Sequence, residues 1–341
     1  MNVLHLSLKD SEYNITVGKG LLDSADKYFN LDRRVLIVTD SGVPAEYAKR
    51  VAARAREARI FTVPEGESSK SFEVLKDVLG AMSDLGMDRG DCAIAVGGGV
   101  VGDLTGFAAS CYMRGIDFYN VPTTLLSQVD SSIGGKTAIN FNGIKNNIGA
   151  FHQPKGVLID PDALLTLPKR QISNGLAEAI KMALSQNAEL FSFLEGLGCI
   201  GCAMKNIEQI IIESLKIKKA IVEEDEREAG LRKILNLGHT LGHGIEADNL
   251  DDALYHGECV GLGMLPVCAP DVRERLAGVL GRMGLPTTYC GDIDRALSFV
   301  SHDKKLSGGV LSVIEVEKIG ECRIKRSTPE DFALAVKAVF N

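Results

Sequence analysis

Residues 92–106 read CAIAVGGGVVGDLTG. Small and branched apolar residues, then three glycines, then a stretch of helical periodicity describe a strand that turns abruptly into a helix. Consecutive glycines let the backbone approach a diphosphate, and the helix N-terminus presents oriented N–H donors to it. The spacing is not GxGxxG, so the usual dinucleotide fingerprint is absent, and a nucleotide turn and a plain packing turn both stay open. The flanks decide the fold. Upstream lie RVLIVTD (34–40) as a strand, a helix over 43–58, RIFTVP (59–64) as a strand and a helix over 72–85; downstream, DFYNVPTT (117–124) is a further strand. Strands alternating with helices build βαβ units on a parallel sheet, whose ligands gather at the carboxyl ends of the strands.

Past residue 150 the pattern changes. Helical stripes cover 169–184, 204–224, 233–247 and 332–340, and only KGVLID (155–160) and VLSVIEV (310–316) read as strands. The expected architecture is α/β: a Rossmann-like parallel-sheet domain over residues 1–152 and a mainly α-helical domain over 153–341. A chain of 341 residues suits two such cores.

Composition narrows the function. Hydrophobic residues are 45% and charged residues 24%, which argues against disorder or a fibrous repeat. The net charge of −7 makes nucleic acid a poor partner, although clustered cations can still hold a small anion. No apolar run reaches the roughly 20 residues of a membrane span, and the alternating N-terminus reads as a strand. A cytoplasmic setting is therefore expected, with the eight cysteines reduced. Cys199 and Cys202 form a CxxC, but no second CxxC and no thioredoxin context accompany it, so two ordinary thiols are expected.

Several segments carry more polar chemistry than folding needs. Asp40, ending its strand, could accept hydrogen bonds from a ribose or could cap a helix. PEGESSK (64–70) is another strand-end loop, with Lys70 as a phosphate ligand or a surface charge. PTTLLSQVDSSIGGKTAIN (122–140) concentrates Thr123, Thr124, Asp130 and Lys136 around Gly134 and Gly135, with Lys145 and Asn146 soon after; an anion or substrate loop is expected there. In the second half, His239 and His243 are spaced i, i+4 on one helix face, and His256 follows. With Glu178 from GLAEAIK they could form a His and carboxylate set that leaves room for substrate on a divalent metal. Lys181, Lys218, Arg232, Lys304 and Lys305 add cations around it, each alone readable as a surface charge.

Together these segments carry a resemblance. GGGVVGDLTGFAAS, YMRGI, VPTTLLSQVDSSIGGKTAIN, KNNIGAFHQP, GLAEAIK, LRKILNLGHTLGH, HGECVGLGM and HDKKLSGG occur in the order found in 3-dehydroquinate synthases, and the chain resembles that family over nearly its whole length. The resemblance implies a phosphate-eliminating cyclase of the shikimate pathway with NAD and one divalent metal, zinc or cobalt. It would convert 3-deoxy-D-arabino-heptulosonate 7-phosphate to 3-dehydroquinate and phosphate. The steps implied are transient oxidation, elimination, reduction, ring opening and aldol closure.

Carried over residue by residue, the metal ligands would be Glu178, His239 and His256, leaving His243 to face substrate. NAD would be held by Asp40, Glu65, Gly66, Glu67, Ser68, Ser69, Lys70, Gly99, Val100, Val101, Gly102, Asp103, Thr123, Thr124, Lys136, Lys145, Ala163, Leu164, Leu165 and Thr166. Substrate would meet Asp130, Lys136, Asn146, Lys181, Lys218, Glu228, Arg232, Asn236, His243 and one or both of Lys304 and Lys305. A homodimer is implied, with Arg114 reaching the neighbouring active site. Other sugar-phosphate cyclases and polyol or alcohol dehydrogenases share the fold, and a silent NAD-binding scaffold is the alternative of another class. One departure stands out: the stretch between His256 and Gly284 is about ten residues shorter than the family pattern, and Pro266 and Pro270 would break a helix there.

Overall fold

The structure is a computed structural model that describes residues 1–248, 254–305 and 310–340, with the backbone alone for 301–305. Contacts divide the chain into two compact units, Met1–Leu167 and Pro168–Asn341.

In the first unit the strands are β1 (Asn2–Ser7), β2 (Glu12–Val17), β3 (Arg34–Asp40), β4 (Glu57–Val63), β5 (Cys92–Gly97), β6 (Asp117–Pro122), β7 (Lys136–Phe141), β8 (Ile144–Phe151) and β9 (Gly156–Ile159). The helices are α1 (Ala45–Ala52), α2 (Phe72–Asp84) and α3 (Gly99–Cys111). Seven strands form one sheet in the order β1-β2-β9-β6-β5-β3-β4, parallel throughout except for the β1–β2 pair. Strand alternation explains its two covered faces. Leu36 and Val38 of β3 point into a core with Leu75 and Val78 of α2 and Leu104 and Phe107 of α3. Val35 and Ile37 point the other way, onto Tyr47 and Val51 of α1 and the 3₁₀ turn Leu21–Lys27. A strand buried on both faces must be apolar throughout, which is how RVLIVTD reads.

The division falls after Leu167 rather than after residue 152. The segment KGVLID is not part of the helical unit: β9 lies beside β2 from Asn14↔Gly156 to Val17↔Ile159 and so belongs to the first sheet. The region 136–151, expected as a loop, is instead the antiparallel hairpin β7–β8. Its turn is Asn142-Gly143, both with positive φ, the conformation a tight two-residue hairpin demands.

The second unit holds α4 (Lys169–Gln186), α5 (Ala188–Gly196), α6 (Ile200–Lys205), α7 (Ile207–Glu224), α8 (His239–Asp248), α9 (His256–Met264), α10 (Pro270–Arg282), α11 (Ile293–Lys305) and α12 (Pro329–Phe340). β10 (Leu311–Lys318) pairs with β11 (Glu321–Ser327), a strand the sequence reading missed. Every residue of α4 from Ile172 to Ser185 is buried, so this helix is the axis of the unit. As the prolines require, α9 ends at Met264, a 3₁₀ turn spans Leu265–Val267 and α10 starts at Pro270. No helix among the described residues is long and apolar enough to cross a membrane.

Candidate metal centre and cofactor edge

Because β3, β4, β5 and β6 run parallel, their carboxyl ends share one edge of the first sheet. The chain crosses from β3 outward to β4 and then returns to β5 on the other side of β3, making a switch point between β3 and β5. Asp40 ends β3, the 65–70 loop follows β4, Gly97–Gly99 leave β5, and Thr123 and Thr124 follow β6. Sequence-distant candidates thus meet on one edge.

Each has a visible local role. Asp40 Oδ1 accepts from Gly42 N (2.8 Å) and Val43 N (3.1 Å), while Pro44 caps α1, so Asp40 shapes the turn rather than capping the helix. Burial raises its carboxyl pKa, against the opposing effect of those two N–H groups. Gly98 caps α3, and a Cβ there would stand 3.0 Å from Thr124 Cγ2, so a larger residue would press on the next strand end. Val100, Val101, Gly102 and Asp103 form the first turns of α3. Thr124 Oγ1 contacts Ser127 Oγ at 2.8 Å and accepts from Ser127 N at 3.2 Å, starting the π-helical turn Ser127–Ser131 that carries Asp130. Such a turn is rare and is found mostly at functional sites.

Lys70 is the centre of a second grouping. Its side chain is 4% exposed, and its Nζ donates to Asp103 Oδ2 at 2.7 Å and to Asn146 Oδ1. It is therefore no surface charge. Asn146 has φ 56° and its N–H donates to Asn140 Oδ1 at 2.8 Å, so the hairpin is pinned where it meets Lys70. Lys136 and Lys145 lie exposed on the same hairpin. Glu65, Gly66 and Ser68 are exposed while Ser69 is buried; Ala163 and Leu164 are buried and Leu165 exposed in the 3₁₀ turn Pro161–Thr166, whose Thr166 meets Tyr47 Oη at 3.1 Å. Met113 and Arg114 both have positive φ (50° and 70°), a strained pair in an exposed turn.

The second unit assembles the metal candidates. One ligand atom each from Glu178, His239 and His256 lies within 4.8 Å of the others. Glu178 comes from buried α4, while His239 and His256 are the first residues of α8 and α9. Two clamps hold α9 on α4: Arg170 makes a bidentate pair with Glu258 (2.7 and 2.7 Å), and Gly257 N donates to Asn174 Oδ1 at 2.6 Å. A Cβ at Gly257 would strike the Asn174 carbonyl, so only glycine permits this approach.

His239 Nδ1 lies 3.2 Å from the Leu237 carbonyl and His256 Nδ1 lies 2.7 Å from Glu246 Oε1, leaving Nε2 of each ring for the centre. A buried carboxylate and two such imidazoles are the donor set a catalytic divalent ion takes, with positions left for substrate. Burial, with Lys181 and the neighbouring histidines, holds His239 well below its usual pKa. For His256, burial is outweighed by hydrogen bonds to Glu178 and Glu246, which push it up to about 10. His239 is thus held neutral, whereas His256 would have to release its proton to solvent before its Nε2 could ligate a cation. The reading from sequence passed over Glu246; its signal was the i, i+7 spacing from His239.

Lys181, one turn from Glu178 on α4, is buried, as are Lys218 on α7 and Arg232. His243 is exposed, its ring 5.2 Å from that of His239. Helical spacing would allow Arg232, Asn236 and His239, at i, i+4 and i+7, to share one helix face, but they do not. Arg232 and Asn236 lie on a 3₁₀ turn (Leu231–Asn236) that ends before α8, and Gly238, at φ 79°, makes the break. Asp225 accepts from Ala229, Gly230 and Arg232 N–H groups, Arg232 donates to the Glu226 carbonyl, and Asn236 Nδ2 donates to Glu228 Oε1 at 2.5 Å. Glu228 itself has φ 59°. The side chains of Lys304 and Lys305 lie outside the described residues.

Residues 60–174 match the family described as 3-dehydroquinate synthase N-terminal, and residues 175–306 match 3-dehydroquinate synthase C-terminal. The chain is 42% identical to the 3-dehydroquinate synthase of Caulobacter vibrioides over 94% of each chain. It is 41% identical to that of Enterococcus faecalis, again over 94% of both. Among solved structures, 2-epi-5-epi-valiolone synthase of Streptomyces hygroscopicus with NAD+ and Zn2+ bound aligns with a TM-score of 0.88 at 29% identity over 98% of both chains. A 2-deoxy-scyllo-inosose synthase complexed with carbaglucose-6-phosphate, NAD+ and Co2+ aligns with a TM-score of 0.90 at 24% identity, covering 99% of this chain and 100% of the other. That second likeness is one of fold.

Proposed function

The chain belongs to the 3-dehydroquinate synthase family, and we propose that it converts 3-deoxy-D-arabino-heptulosonate 7-phosphate to 3-dehydroquinate and phosphate. The observation that carries the reading is the convergence of Glu178, His239 and His256 beside buried Lys181, in a chain about two-fifths identical to relatives of that name. The other cyclases compared are 29% and 24% identical, which favours the dehydroquinate branch.

In this reading the sheet edge of the first unit holds NAD. Asp40 and the 65–70 loop serve the ribose side, the first turn of α3 faces the diphosphate, and Thr123, Thr124, Lys145 and residues 163–166 complete the contacts. NAD, once bound, supplies a hydride acceptor and returns the same hydride, so it is not consumed. Glu178, His239 and His256 hold a divalent ion, zinc or cobalt, which supplies Lewis acidity toward a substrate oxygen.

The remaining residues bind and orient. Lys136, Asn146 and His243 take the phosphate, while Lys218, Arg232 and Asn236 take the carboxylate. Asp130, Lys181 and Glu228 position the hydroxyl-bearing ring, and one or both of Lys304 and Lys305 add positive charge. Local cations are what allow a chain of net charge −7 to hold a doubly anionic sugar acid. Arg114 reaches the site of a second copy in a homodimer; its strained, exposed turn supports a role other than packing. A cytoplasmic setting fits eight cysteines that are all free thiols.

The test is turnover of the heptulosonate phosphate with catalytic NAD, with and without a chelator. Phosphate release without net NADH, abolished by chelator and restored by Zn2+ or Co2+, is the expected result. Linear accumulation of NADH would place the chain among dehydrogenases instead.

A further inference from the structure

We propose that Glu246 is a positioning residue for the metal centre: it holds the His256 ring so that Nε2 is presented to the ion, and thereby sets the affinity of the site. The inference rests on the metal reading above and assigns a role to a residue outside the ligand set.

Glu246 and His239 lie seven residues apart on α8, about two turns, so they share a face of that helix. One helix thus supplies both a ligand and the support for a ligand on its neighbour α9. Glu246 Oε1 stands 2.7 Å from His256 Nδ1, and Nε2 of the same ring points toward Glu178, 3.5 Å from Oε1. The carboxylate of Glu246 is only 10% exposed, whereas the His256 side chain is 33% exposed.

That contrast matters. His256 is only partly enclosed, its ring 5.2 Å from that of His239, and packing alone does not choose between its two nitrogens: a ring turned over would offer Nδ1 instead. His239 is steadied by a neutral carbonyl at 3.2 Å; His256 has an anionic acceptor at 2.7 Å, a shorter and stronger restraint. A carboxylate behind a metal-bound imidazole fixes the tautomer and raises ligand basicity, and its loss typically weakens metal binding about 10- to 100-fold.

The experiment titrates Co2+ alone into metal-stripped full-length protein, followed by the visible absorption of bound Co2+. Wild type, Glu246→Gln and Glu246→Ala are compared, with thermal melts of each stripped protein. Gln keeps an acceptor oxygen of nearly the same shape but no charge. Expected are a Co2+ Kd raised about 10- to 100-fold in Glu246→Ala, with altered absorption bands, and an intermediate Kd in Glu246→Gln. Wild-type Kd and bands in Glu246→Ala overturn the proposal, even if its melting temperature has dropped, because Glu246 would then be a structural partner only. Should Glu246→Ala fail to fold, Glu246→Gln decides: a weakened Kd supports the proposal and an unchanged one overturns it. Failure of the wild type to bind Co2+ would instead overturn the metal reading itself.

Discussion

Lys181 and Glu178 form an ion pair one helical turn apart on α4, and only 1% and 0% of the two residues is exposed. A carboxylate so deep needs a cation beside it, since its desolvation is not otherwise offset. Removing the ammonium of such a pair costs about 3–5 kcal/mol. Lys181→Ala should therefore melt markedly lower than wild type when stripped of metal. Zn2+ should raise its melting temperature by more than it raises that of the wild type, because the ion then takes over the neutralising role. Equal shifts on adding Zn2+ would show that the ammonium does not compensate Glu178.

His256→Ala should lose the metal and nearly all turnover while still binding NAD. Two remaining ligands make a poor divalent site, and the change lies in Pro168–Asn341, not in the unit proposed to hold NAD. Metal analysis of the purified variant checks this directly. Full occupancy would remove His256 from the ligand set.

Arg232→Ala should retain metal and NAD but turn over the heptulosonate phosphate poorly. Arg232 is 2% exposed; with the substrate role proposed for it, its loss would leave a desolvated carboxylate without its partner, at a cost of about 2–5 kcal/mol in kcat/KM. A wild-type kcat/KM in this variant, or faster cyclisation of sedoheptulose 7-phosphate than of the heptulosonate phosphate by the parent, argues for another cyclase branch.

Lys70→Met preserves the length of the side chain but strips Asp103 and Asn146 of their shared donor. Lys70 is also proposed to contact NAD, and a lost charged hydrogen bond to the ligand costs about 1.5–3 kcal/mol, so on that proposal NAD should bind roughly ten- to a hundredfold more weakly. Equilibrium binding of NAD to folded variant, judged by circular dichroism, is the measurement. Unchanged affinity would confine Lys70 to a structural role.

Alkylation by iodoacetamide near neutral pH should modify Cys199 well before Cys92 or Cys268. Cys199 is exposed, and hydrogen bonding with Cys202, whose Sγ lies 3.3 Å away and whose N–H donates to Cys199 Sγ, lowers its pKa, so its thiolate persists to lower pH than an ordinary cysteine's. Burial pushes Cys92 and Cys268 up to about 12, which leaves both protonated. Peptide mapping after brief exposure gives the order, and early labelling of Cys92 would contradict it.

Where the sequence failed to foretell the structure, the reason is local. The 136–151 hairpin was hidden because its Gly and Asn residues outweighed its alternation, although Asn142-Gly143 is itself a strong hairpin signal. A single helix over 233–247 fitted the apolar periodicity, yet periodicity is blind to one residue of positive φ, and Gly238 splits the segment into a 3₁₀ turn and α8. The boundary near 152 misplaced β9, since a short apolar run does not say which sheet it will join.

Strand β3 was legible to the residue, because burial on both faces permits only an apolar run ending where the sheet ends. The i, i+4 pair on α8 was legible for a similar reason, helical spacing being fixed by backbone geometry. Sequence therefore determined the α/β class, the alternation of units and the types of residue available for chemistry. Only the tertiary structure decided which of them meet: that Glu178, His239 and His256 converge from three helices, that Lys70 is sealed against Asp103, and that Glu246 stands behind His256. Local patterns are set by neighbours along the chain, whereas these meetings depend on packing between elements tens of residues apart.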